Sequence, residues 1–175
     1  MFLERLFRPR AAQEQGRVLY AAAVERSRRP ALYADLGAPD TVEGRFEIYT
    51  LHVMLLLDRM RGQGAAAARV SQALFDTYLS ALDNALREMG VGDLSVGKKM
   101  RKLGEAFYGR AKSYESALGA LPDRAPLEAL IRRTVLAGSE SADSAGLTAY
   151  VVAEREGLAA QPLEALLEGG GVWAA

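Results

Sequence analysis

The sequence predicts an all-α protein, a single-domain helical bundle of about six to eight helices. Three observations carry this. Half of the 175 residues are apolar, enough for one domain with a real core. Ala, Leu, Arg and Glu dominate, and the alternating Val/Ile/Thr runs of strands are missing. Proline and glycine then divide the chain into segments whose apolar residues recur every three or four positions.

Residues 1–10 set Phe2, Leu3, Leu6 and Phe7 among Arg5, Arg8 and Arg10. They read as a separate basic amphipathic segment, either a foot on an anionic membrane or a terminal turn on the domain. Residues 11–28 predict a helix with Val18, Leu19, Ala22 and Ala23 inward, and Pro30 stops its extension. A Pro/Gly-punctuated connection over 29–40 leads to Asp40 or Thr41 as the cap of a helix over Val42–Arg61. Apolar on most sides, that helix should be central, with Phe46, Val53, Leu56 and Leu57 mostly buried. Gly62 and Gly64 separate it from a helix over Ala65–Met89, with Leu74, Tyr78, Leu82 and Leu86 as core candidates. Gly90 and Gly92 end that helix, and Ser95 caps the next, Val96 to about Leu118. Shorter helices follow near 125–136 and 145–157 and from Pro162. The helical domain thus runs over 11–168, and 169–175 form a tail that is loose unless Trp173 docks.

Composition excludes several functions. Without cysteine, thiolate metal sites and cysteine nucleophiles are ruled out. His52 is the single histidine, in an apolar helix with no second ligand at i+4, and reads as structural. The glycines of GVGDLSVG match no phosphate-binding pattern and read as a helix–helix turn. No catalytic residues, metal or cofactor are expected. Lys+Arg and Asp+Glu balance at 22 each, so an anionic partner must be met by a local patch. Lys98, Lys99, Arg101 and Lys102 form such a patch in the first turns of a helix, where the macrodipole disfavours cations. It is either a solvated face or a docking site for RNA, lipid headgroups or acidic protein. Phe107, Tyr108, Gly109, Arg110 and Tyr114 follow, either as core or as the wall of a groove for a hydrophobic peptide. Arg45 and Arg110 stand among aromatic and small residues. At least one should be substantially buried and paired with Asp40, Glu47, Glu88 or Asp93.

The residues Tyr33, Leu36-Gly37, Pro39-Asp40-Thr41 and Gly44-Arg45-Phe46-Glu47 form one motif. Leu86-Arg87-Glu88, Gly90, Gly92-Asp93, Lys98-Lys99-Met100, Ala106-Phe107-Tyr108-Gly109-Arg110 and Tyr114 continue it. Together, over about residues 17–120, they resemble the ubiquinol–cytochrome c chaperone family. The sequence departs from the family pattern at Gly97, where proline is expected, and at Leu82-Asp83, where Met-Asp is expected. The resemblance implies a non-enzymatic, all-α factor for assembly of ubiquinol–cytochrome c reductase (complex III). It implies cytochrome b as client, held when newly made, with a contact near the ribosomal tunnel exit and a second small assembly factor. No long amphipathic presequence precedes the match, so the resemblance is to a bacterial member. The expected location is cytoplasmic, peripheral at the inner face of the inner membrane. Two other classes stay open: an RNA- or ribosome-binding adaptor without a membrane client, and an all-α carrier or enzyme for an isoprenoid or tetrapyrrole.

Overall fold

The structure, a computed structural model, describes residues 2–88, 93–139, 143–168 and 172–173, with the side chains of all of these except 2–9, 93–99, 102, 103 and 106. Gly90 and Gly92 of the motif, and the glycine turn they were expected to form, lie outside the described residues. Among the described residues there are eight helices and no strand, as the sequence predicts. The long ones are α1 (Phe2–Ser27), α3 (Val42–Met60), α4 (Gly64–Glu88), α5 (Asp93–Gly119) and α7 (Ser144–Ala160). The short ones are α2 (Pro30–Ala34), α6 (Ala125–Arg133) and α8 (Leu163–Leu167). None of these helices is long and apolar enough to cross a membrane, among the described residues.

Helix α3 is the centre, as its apolar sequence predicts. Ile48, Leu51, Val53, Leu55 and Leu56 are buried, and α1, α4, α5 and α7 pack around it. Phe46 and Leu57 are only half-buried, because each lines an open surface recess instead of the core. Thr41 caps α3, its Oγ1 accepting from the Gly44 amide at 3.1 Å, and Gly62 ends the following turn at a φ of 71°. Leu74 and Tyr78 anchor α4 in the core, while Leu82 and Leu86 are half-buried as that helix runs toward the surface.

Three boundaries differ from the sequence reading. Helix α1 already starts at Phe2, so the backbone of residues 2–10 runs on into the helix expected over 11–28. Pro30 opens the short α2 at its first position, where a missing N–H costs nothing. Helix α5 starts at Asp93, so Lys98, Lys99 and Lys102 fall beyond its first turn, where the macrodipole has largely faded. Of the expected tail, residues 172–173 are docked. Val172 is buried, and the Trp173 indole donates to the Ala22 carbonyl at 3.1 Å.

A buried polar cluster ties this end of the bundle together. Arg26 of α1 grips Glu154 of α7 through two bonds, Nε–Oε2 at 3.1 Å and Nη2–Oε1 at 2.5 Å. His52 of α3 is wholly buried beside it. Its Nδ1 donates to the Ile48 carbonyl at 2.8 Å, so its Nε2 is left to accept from the Tyr150 hydroxyl at 2.7 Å. Both ring nitrogens are thus used within the fold, which gives the single histidine a structural role.

Burial, helped by the charge of Arg26, lowers the His52 pKa to about 4. The unfolded chain, with a value near 6.5, therefore takes up a proton that the native state refuses as pH falls between these values. This contribution is constant above about pH 6.5 and is lost below it. We expect wild-type stability to drop by about 2–3 kcal/mol more than that of His52→Gln between about pH 7 and pH 4.5, read from urea midpoints. Parallel pH profiles for the two proteins would show that His52 is reached by solvent protons in the native fold.

Candidate functional site

The site is built on the middle of α5. Gly104 and Gly109 leave open space along that helix, and Phe107 and Tyr108 flank it on the side of α4. Phe107 is buried and Tyr108 is 66% exposed, an unusual placement for a large aromatic ring. The two rings pack on Phe75 of α4, with centroids 4.8 Å and 5.6 Å away. Phe107 also meets Tyr78 at 5.0 Å, and Tyr78 stacks on Tyr49 of α3 at 5.2 Å. Tyr49 meets Tyr20 of α1 edge-on at 5.6 Å. A row of aromatic rings therefore runs from the surface of α5 through α4 and α3 to α1. Burial pushes the Tyr78 hydroxyl up to about 12, where it stays protonated and bonded to Thr50 at 3.0 Å. Such a row is held by packing, each ring pair adding about 0.5–1.5 kcal/mol beyond buried area.

Tyr108 stands at the lip of an open groove of about 460 Å³ between α3, α4 and α5. Leu57, Met60, Phe75, Phe107 and Ala111 form its apolar walls, and Arg61, Ser71 and Gln72 supply polar groups at its edge. The recess suits an apolar side chain or short segment with polar contacts at its edge.

Of the residues proposed from sequence to contact a partner, Phe107 and Tyr108 thus line this groove. Tyr114 does not. It is 2% exposed, and burial raises its hydroxyl well above the ordinary tyrosine range. Arg110 is paired with Glu47 of α3, Nε to Oε2 at 3.1 Å and Nη2 to Oε1. The pairing matches expectation, but Arg110 is half-buried and Glu47 is the more enclosed partner. Arg101 is exposed; the side chains of Lys98, Lys99 and Lys102 lie outside the described set.

The first motif segment builds a different corner. Tyr33 donates to the Ser27 carbonyl at 2.6 Å, and the Arg45 guanidinium lies over its ring at 5.0 Å. Arg45 also pairs with Asp40 in the open. Gly44 is required because a Cβ there would stand 2.0 Å from the Pro39 carbonyl oxygen. Arg87 and Glu88 are exposed at the end of α4, with Arg87 bonded to Asp83 at 2.7 Å, and Asp93 is the first residue of α5.

Sequence reasoning missed Phe75, Leu57 and Ala111 as groove residues, and the Arg26–Glu154 pair. The groove residues lie on three helices, and the pair spans 128 positions, so no local spacing marks either.

Fold and site together define an all-α bundle with an apolar surface recess beside an exposed tyrosine. The chain belongs to the ubiquinol–cytochrome c chaperone family, which it matches over residues 34–173. The resemblance carried by the motifs is therefore confirmed, and it extends through α6, α7 and α8. The chain is similar to ubiquinol-cytochrome-c reductase complex assembly factor 1 of Xenopus laevis, 25% identical over 118 residues. That match takes in 67% of this chain and 58% of the Xenopus protein, so the chain spans under three fifths of that relative's length. The fold is also that of the crystal structure of the Cbp3 homolog from Brucella abortus, with a TM-score of 0.86 and 35% identity over 100% of this chain and 97% of the other.

Proposed function

We propose that this protein is a non-enzymatic assembly chaperone for complex III that holds newly synthesised cytochrome b. The groove beside Tyr108 receives an apolar segment of that client. The observation that carries the reading is the groove itself, an apolar recess with an exposed aromatic lip on a chain of this family. Apolar segments bound for a membrane need cover before insertion, and a half-open apolar wall supplies it by burial at roughly 25 cal/mol per Å². The patch at Lys98, Lys99, Arg101 and Lys102 contacts an anionic partner in this reading, such as the ribosome near its tunnel exit, a second assembly factor or the inner face of the membrane. The work is done on the cytoplasmic side, and no cofactor is needed.

The test is a deletion strain in which spectral cytochrome b and complex III are measured beside the other respiratory complexes. Both should fall selectively and return with the wild-type gene. Tyr108→Asp changes an exposed side chain and gives up its ring contact with Phe75, so it should cost about 1–2 kcal/mol and stay folded. It should nevertheless restore complex III poorly, and so should Lys98→Glu/Lys99→Glu/Lys102→Glu. Full complementation by folded Tyr108→Asp would remove the groove from the mechanism. Normal cytochrome b in the deletion strain would remove the client.

A further inference from the structure

On the other side of α5, a second cleft of about 400 Å³ opens between α5 and α6. Its chemistry differs from that of the aromatic groove. Lys112 of α5 and Arg133 of α6 stand on its two walls. Both are exposed, and neither makes an ion pair among the described residues. The lining contains no acid; Gly109, Ala117 and Ala129 form part of it, with Ser116 exposed at the rim. Nearby acids are already engaged or stand apart. Asp123 accepts from the Ala125 amide, Glu115 pairs with Arg61, Glu128 pairs with Arg132, and Glu105 is exposed nearly two turns before Lys112. A chain with no net charge therefore presents here a cleft with two uncompensated cations.

Tyr108 lies one helical turn before Lys112, and i,i+4 residues share a helix face. An exposed tyrosine at the border of the two recesses, one turn from Lys112, suits the boundary of a bilayer. There the ring takes the headgroup level and the cations meet lipid phosphate.

We propose that the α5/α6 cleft binds the phosphate headgroup of an anionic phospholipid through Lys112 and Arg133, laying this face of α5 on the membrane surface. This names residues for a membrane contact that the proposed function leaves open, and it is tested without reference to the client. Sedimentation with vesicles provides the test, comparing pure phosphatidylcholine with phosphatidylcholine carrying about a third phosphatidylglycerol. Wild-type protein should partition onto the anionic vesicles and not the neutral ones. Lys112→Glu/Arg133→Glu should bind at least about thirtyfold more weakly, since each basic residue near such a surface contributes about a factor of five. Arg28→Glu/Arg69→Glu makes the same change in net charge at exposed positions elsewhere, and should bind within about threefold of wild type. Circular dichroism melts confirm that each variant is folded. The proposal falls if wild type ignores anionic vesicles, if the Lys112/Arg133 variant binds like wild type, or if the control variant weakens as much. Displacement by millimolar inorganic phosphate would assign the cleft to a free anion. Loss of binding to a single-stranded RNA oligomer, with vesicle binding unchanged, would assign it to nucleic acid. Either result also overturns the lipid assignment.

Discussion

Glu154→Ala is expected to destabilise the protein by about 3–5 kcal/mol. Its partner explains the size. The Arg26 side chain is 13% exposed and Glu154 is 9% exposed, the most enclosed ion pair among the described residues. Burial opposes the Arg26 charge, but the hydrogen bonds and attraction of Glu154 outweigh it, and the Arg26 pKa stays raised. Removing the carboxylate leaves a guanidinium in a place chosen for a neutralised pair, and it cannot deprotonate to escape. The same argument gives the sign of the rescue. Arg26→Leu/Glu154→Leu removes both charges and should recover most of the loss, because an apolar pair of similar volume carries no desolvation cost. Urea unfolding of the three proteins tests this directly. A loss below about 1 kcal/mol for Glu154→Ala would mean that water reaches Arg26 easily, and the pair would count as a surface one.

Alanine at Gly44 should cost about 3 kcal/mol or more, although alanine in place of a helical glycine ordinarily stabilises by about 1 kcal/mol. The new Cβ would stand 2.0 Å from the Pro39 carbonyl oxygen, and backbone cannot move aside as a flexible side chain would. The clash falls on the turn that carries Asp40 and the Thr41 cap, so the Arg45–Asp40 pair should loosen with it. Gly16 is similar, its Cβ meeting Ala73 of α4 at 2.6–2.7 Å where α1 and α4 touch. Gly157 is the opposite case, with nothing within 4 Å. Gly157→Ala should therefore stabilise by about 0.5–1 kcal/mol. Thermal melts of the three variants should move two midpoints down and one up. Uniform stabilisation would mean that the helices have room to separate at no cost.

The architecture was readable from the sequence because its signals are local. The 3–4 spacing through Tyr49, Val53, Leu56 and Met60 marks α3 as central whatever packs on it, and Thr41 and Gly62 mark its ends. Where periodicity met surface recesses it overstated burial, as at Phe46 and Leu57, since spacing shows a side chain's face but not what covers that face. The motif residues identified the family, yet they do not gather into one site. Tyr33, Asp40 and Arg45 hold the α2–α3 corner, Arg110 ties α5 to α3, and Tyr108 alone of the motif aromatics is exposed. A shared motif can thus mean shared packing at one position and a shared contact at the next. Gly44 shows the first kind most clearly, and the second is what the proposed function assigns to Tyr108.

The docking of Trp173 onto Ala22 sets a schedule for the maturation of the protein itself. The contact joins positions 151 residues apart, and the Arg26–Glu154 pair joins positions 128 apart. At roughly 5–20 residues per second, α1 waits on the order of ten seconds or more during synthesis before α7 and the Trp173 segment exist to cover its inner face. Until then Arg26 and the edge of His52 have no lid. The fold of α1 therefore passes through an interval without its last cover, which closes when Trp173 reaches the Ala22 carbonyl.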